Sequence, residues 1–252
     1  MTVQPHEAIA AVLRDVEAVV FDTDGVITDS ARVHAAAWKT AFDTLLTEHP
    51  PEGSGQRRPF SIGDDYVRYV DGKSRLDGAS AFLVSRGLDP TDAAVRAVAE
   101  HKERLFTERL REDGIDAYPG TVRLVRALRR AGVPCAAASA SRHARELLTR
   151  AGVLGLFDVL VDGGEAARLG LAGKPRPDLF LEAARRLGVP AGRCAVVEDA
   201  LAGVEAGRRG GFGLVVGVDR AHAPDSGARL LEHGADIVVP DLAELLREGV
   251  PR

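Results

Sequence analysis

Six short apolar runs, each closed by a polar or glycine-containing turn, constrain this chain more than any other feature. They are Ala18–Phe21, Val133–Ala138, Val159–Val161, Ala195–Val197, Leu214–Val216 and Ile237–Val239. Their length and valine content suit strands buried on both faces. Helical patterns lie between several of them: Ala144, Leu147, Leu148 and Ala151 share one face, as do Phe180, Ala183, Ala184 and Leu187. Strands alternating with helices predict an α/β fold, a doubly wound parallel sheet.

Residues from about Ser30 to Asp116 break that rhythm. No strand pattern occurs there, while Trp38, Ala41, Phe42, Leu45 and Leu46 recur at helical spacing and Thr91–Leu110 is again helical. Pro50–Pro59 is loop by composition. The block reads as a helical domain over 30–116 inserted between core segments 1–29 and 117–252, with hinges near Asp29–Val33 and Glu112–Tyr118. The 252 residues suffice for a core of about 150 residues plus such an insert.

Charge and hydropathy exclude several functions. A net charge of −4 without a basic tract predicts neither a nucleic-acid nor a membrane partner. The apolar runs are too short for a membrane span, and Met1–Arg14 lacks a basic-then-apolar leader pattern. Cys135 and Cys194 fall inside apolar runs, so buried thiols in a reducing cytoplasm are expected, with no catalytic role.

Four strand ends carry reactive groups. The first run leads into Phe21-Asp22-Thr23-Asp24-Gly25-Val26, where two acids can converge at a turn that Gly25 permits. Paired carboxylates repel and call for a cation or a shared proton; a chance pair of acids at a strand end is the plainer alternative. Ala138-Ser139-Ala140-Ser141-Arg142 precedes a helix, as a phosphate cradle would, or as simple capping by Ser141 would. Gly173-Lys174-Pro175-Arg176-Pro177-Asp178 sets a lysine between stiffening prolines, able to neutralise a phosphoryl oxygen and a carboxylate; a surface lysine in a capped turn is the alternative. Val197-Glu198-Asp199 ends the fourth run, with helix capping by Asp199 the competing reading.

Together and in this order, D-x-D-G-V, the serine, the K-P-x-P-D loop and the acidic pair resemble the haloacid dehalogenase superfamily, and the insert resembles its subclass I cap. The resemblance implies an Asp22 nucleophile, an Asp24 proton donor and acceptor, and Ser139 and Lys174 on the transferring phosphoryl group. It implies Mg²⁺ held by Asp22, the Asp24 carbonyl and Asp199, with Glu198 directly or through water. Asp24 speaks against the dehalogenase branch, and Thr23 replaces a commonly apolar residue whose side chain should face away from the site.

Within the superfamily, the cap is similar to that of the β-phosphoglucomutase family. The matching positions are Asp29-Ser30 with His34 and Trp38, the Asp71–Arg75 stretch with Gly72, Lys73 and Arg75, and Lys102 paired with His34. Ala140, Ser141 and Arg142 join the substrate-binding set, the last two toward the phosphate that is not transferred. Taken singly, Trp38 could be core, His34 structural and Arg75 solvated. The Gly53–Gly63 loop is longer than the usual cap connection, and Leu169–Gly173 lengthens the approach to Lys174. The resemblance implies interconversion of β-glucose 1-phosphate and glucose 6-phosphate through a 1,6-bisphosphate, by a monomer acting on a small sugar phosphate. A sugar-phosphate or nucleotide phosphatase with the same nucleophile is the alternative. A non-catalytic sugar-phosphate-binding protein is disfavoured, because every acid the chemistry needs is present.

Overall fold

A computed structural model describes residues 7–220 and 223–248; the first six residues of the Met1–Arg14 stretch and the outer ends of the two core segments lie outside them. The strands are β1 (Glu7–Ile9), β2 (Ala18–Asp22), β3 (Cys135–Ala138), β4 (Val159–Val161), β5 (Cys194–Glu198), β6 (Leu214–Val218), β7 (Ile237–Val239) and β8 (Leu246–Glu248). The helices are α1 (Ala31–Glu48), α2 (Arg75–Ser85), α3 (Asp92–Asp113), α4 (Pro119–Arg130), α5 (Ala144–Arg150), α6 (Gly163–Leu169), α7 (Asp178–Leu187), α8 (Leu201–Arg209) and α9 (Ser226–Glu232). A π-type turn covers Ile62–Val70.

Six strands form one parallel sheet in the order β4-β3-β2-β5-β6-β7. Alternation along β2 sends Val19 and Phe21 into the core on one face and Ala18 and Val20 into the core on the other. Helices cover both faces, so every strand residue of β2, β3, β5 and β6 is buried. All six apolar runs are strands, and the doubly wound architecture follows. β3 starts two residues later than its apolar run: the Val133 N–H closes the end of α4 on Leu128, and Pro134 has no N–H to give a ladder. The antiparallel pair β1–β8 has no counterpart in the apolar pattern, because its strands are only three residues long.

The helical insert has its own core, built on Trp38, Phe42, Phe60 and Phe82, with Phe42 4.0 Å from the Phe82 ring and 5.0 Å from that of Phe60. Buried Asp65 accepts paired hydrogen bonds from Arg58 and a third from Arg86, which ties the 57–61 segment to the π-type turn and α2. The two chain crossings between insert and sheet are themselves paired: the Asp29 N–H bonds Asp116 and the Tyr118 N–H bonds Ile27. Both are shorter than the predicted hinges, since α1 already includes Ala31–Val33 and α3 includes Glu112–Asp113. No helix among the described residues is long and apolar enough to cross a membrane.

Candidate active site

The reactive strand ends meet where β2 lies beside β5, the point at which the strand order reverses and α/β sheets open a crevice. Asp22 is the last residue of β2 and Glu198 the last of β5. Lys174, buried in the loop before α7, donates from Nζ to Asp22 Oδ1 and to Glu198 Oε1, both at 2.5 Å. The second Asp22 oxygen accepts the Asp24 N–H at 2.9 Å. Burial raises the Asp22 carboxyl well above its ordinary range; Lys174 opposes that shift, while Glu198 and Asp24 add to it. Burial would strip the proton from Lys174, yet its two carboxylate partners more than compensate and hold it as an ammonium.

Asp24 faces a different environment. Its Oδ1 accepts from Ser30 Oγ at 2.5 Å and its Oδ2 from Ser139 Oγ at 3.2 Å. Burial works against its charge, but His34 and the two hydroxyls outweigh burial and hold the carboxylate ionised. His34 Nε2 stands 3.3 Å from Asp24 Oδ1, off the line of a hydrogen bond and with no other partner among the described residues. On the ring's other side, Lys102 Nζ lies 2.7 Å from His34 Nδ1. An ammonium can only donate, so Nδ1 accepts and the neutral ring's proton sits on Nε2, toward Asp24. Burial first, then Lys102, lowers the His34 pKa; burial brings Lys102 down to about 8. Both residues stack on Phe106, the imidazole at 4.1 Å and the ammonium at 4.5 Å.

Neither capping alternative survives. Ser141 Oγ accepts from the His143 N–H, one turn ahead of α5, whose N-cap His143 makes no side-chain cap bond. The N-cap of α8 is Ala200, and Asp199 instead lies against Gly25. Gly25 has φ +83°, and a Cβ there would fall inside the Asp199 carboxylate. The turn therefore needs glycine for its backbone and for the approach of the acid. Thr23 is fully buried, and its hydroxyl has no partner among the described residues.

Asp22, Asp199 and the Asp24 carbonyl would supply an all-oxygen donor set. Asp22, Asp71, Glu198 and Asp199 gather around one ammonium, and Asp199 is raised by burial and by the charges of Asp71, Glu198 and Asp22. That excess of negative charge suits a hard divalent ion. Among the described residues no three His, Cys, Asp or Glu side chains converge to enclose an ion. Two carboxylates, one carbonyl and retained waters are the set that magnesium accepts. Glu198 has both oxygens engaged, Oε1 by Lys174 and Oε2 by the Ala200 N–H at 2.6 Å, so contact through water fits it better than direct ligation.

The insert closes the crevice. A cavity of about 220 Å³ runs from Asp22 to the far side, lined there by Arg75, Lys102, Ser141, Arg142 and His143. Gly72 has φ +71° and sits so close to the sheet domain that a Cβ would lie 2.9 Å from Ala200 Cβ. Lys73 and Ala140 also line the cavity, with Lys73 Nζ near the Arg68 carbonyl at 3.5 Å. Trp38 belongs to both readings: it is 3% exposed in the insert's core and also borders the cavity. Arg75 is paired with Glu103 at 3.4 Å and only partly exposed. Sequence reasoning passed over Glu103 and His143 and gave Asp71 no role of its own, although the three directly adjoin Lys102, Arg142 and Gly72; a one-residue margin around each motif finds all of them.

A profile of haloacid dehalogenase-like hydrolases matches residues 16–211. The chain belongs to that family. It is 41% identical over 240 residues to a β-phosphoglucomutase of Mycobacterium bovis, covering 92% of each chain. A Bacillus subtilis β-phosphoglucomutase is 32% identical, again over 92% of each. Among solved structures, a hydrolase from Pseudomonas syringae superposes with a TM-score of 0.73 at 27% identity, covering 91% of this chain and 95% of the other.

Proposed function

We propose that the protein is a β-phosphoglucomutase, interconverting β-glucose 1-phosphate and glucose 6-phosphate through a phosphorylated Asp22 and a 1,6-bisphosphate. One observation carries this reading: the cavity has positively charged side chains at both ends, Lys174 beside Asp22 and the Arg75–Arg142–His143 group opposite. A bisphosphate intermediate that must present either end to Asp22 needs both. The full-length similarity to β-phosphoglucomutases supports it.

Catalysis between anions is positioning and neutralisation. Magnesium, when bound by Asp22, the Asp24 carbonyl and Asp199, would screen the charge between nucleophile and phosphate. Lys174 holds Asp22 in line and neutralises a phosphoryl oxygen, and Ser139 orients the group from the opposite side. Starting from phosphorylated Asp22, ionised Asp24 takes the proton of the incoming sugar hydroxyl as the Asp22–P bond breaks and the new O–P bond forms. Now protonated, it gives that proton to the other sugar oxygen as that O–P bond breaks and the Asp22–P bond forms again. His34 and Lys102 come from the cap, residues 30–116, so Asp24 meets them only when the cap is shut. Bulk water is then excluded, and a sugar hydroxyl is the acceptor. The buried free cysteines fit a reducing cytoplasm, and the chain would act as a monomer.

The test is product identity. With Mg²⁺ and a trace of glucose 1,6-bisphosphate, β-glucose 1-phosphate should give glucose 6-phosphate. Stoichiometric inorganic phosphate instead would make the protein a phosphatase with the same nucleophile and water as acceptor.

A further inference from the structure

At the end of the cavity away from Asp22, one acid stands among the cations. Glu103, on α3, places Oε1 2.5 Å from His143 Nε2, across the crevice at the start of α5, and Oε2 3.4 Å from Arg75 Nη1 at the start of α2. Neighbouring Lys102 adds a third positive charge. The three side chains are between 21% and 28% exposed, so water screens the group only in part. A carboxylate gripped by an imidazole and a guanidinium occupies the place, and satisfies the donors, that an anionic substrate group would need.

We propose that Glu103 is a specificity-determining residue: its carboxylate stands in for a second phosphate, and a substrate phosphorylated at both ends must displace it. The inference rests on the two-ended cavity of the proposed mutase. A substrate with a neutral far end leaves Glu103 in place to accept its hydroxyls. A phosphate dianion carries more charge and more acceptor oxygens than one carboxylate, so it takes Arg75 and His143 and turns Glu103 out. Displacement weakens bisphosphate binding, which lets a bisphosphate leave its first orientation and return in the other.

The test is calorimetric titration of the magnesium-loaded full chain with glucose 1,6-bisphosphate, in an Asp22→Asn background that prevents transfer. Adding Glu103→Gln should tighten binding about tenfold, or about 1.4 kcal/mol. Glu146→Gln removes the same charge from the other side of His143, where Glu146 Oε2 lies 3.4 Å from Nδ1. It should change affinity less than twofold. Unchanged or weaker binding in Glu103→Gln overturns the proposal, as do equal gains in both variants or no binding in any. Because no turnover is needed, an enzyme that releases phosphate instead of isomerising sugar leaves the titration readable.

Discussion

Arg220 lays its guanidinium over the ring of Tyr118, 3.7 Å from the centroid, while its Nε donates to the Gly25 carbonyl at 2.9 Å. Tyr118 in turn reaches Asp29 Oδ1 at 3.2 Å. One arginine thus joins both chain crossings to the turn that follows the nucleophile. Arg220→Ala should cost about 2 kcal/mol or more, from the cation–π contact and the charged hydrogen bonds to the Gly25 and Pro240 carbonyls. A thermal melt several degrees lower, with reduced kcat, is the expected result; an unchanged melt and kcat would remove the link.

Asp22→Asn should abolish the phosphoenzyme and lower turnover by about 10³-fold or more, because an amide does not attack phosphorus. Rapid quench with labelled donor measures it. Retained labelling at another residue would sink the covalent role of Asp22.

Gly72→Ala should separate cap closure from folding. The new methyl meets Ala200 Cβ at 2.9 Å, on a backbone with φ +71° that alanine adopts at a cost of about 1 kcal/mol. We expect turnover of sugar phosphate to fall at least about tenfold with a melt only a few degrees lower. Ala200→Gly added to it should restore part of the activity by removing the opposing methyl. No rescue would mean that the backbone strain, not the contact, is the cause.

The Glu103–His143 pair predicts a pH signature. His143 is raised from 6.5 chiefly by its hydrogen bond to Glu103, so its contribution is full below about pH 6.5 and is lost as pH rises through the raised value. Glu103 is lowered from 4.5 to about 2: burial opposes the shift, and His143, Lys102 and Arg75 overcome it. Its contribution is present above about pH 4.5 and lost as pH falls toward 2. The melt difference between the native chain and Glu103→Gln should therefore be larger at about pH 5.5 than at about pH 9. Equal differences at the two values would contradict the pairing.

Asp65→Ala should be the most damaging change in the cap. It leaves Arg86, itself 4% exposed, buried without its carboxylate, a loss of about 3 kcal/mol or more. Arg58→Ala should cost less than about 1 kcal/mol, since Arg58 is 45% exposed. Denaturant unfolding of the two variants ranks them, and a reversed order would show that the buried Asp65–Arg86 pair is not the stronger tie in this part of the cap.

Much of the site was legible because strand ends are local. A run such as Ala18–Asp22 declares a buried strand by its own composition, and parallel sheets gather their loops at one edge. Hence Asp22, Asp24, Ser139, Lys174 and Asp199 could be read as neighbours before any coordinates. Capping by Ser141 and Asp199 was a sound local alternative, and it failed because other groups claimed those side chains: the His143 N–H turn took Ser141, and the contact with Gly25 took Asp199.

By itself, the sequence determined the α/β core, the helical insert and the reactive group at each strand end, since periodicity and short motifs depend on neighbours a few residues away. Only the tertiary structure decided the partners that no motif carries. Glu103 reaches His143 from 40 residues away, and Arg220 reaches the Gly25 carbonyl from 195. Such pairs depend on how two packed bodies come together and on which charge burial leaves in need of a partner, and no local pattern encodes either.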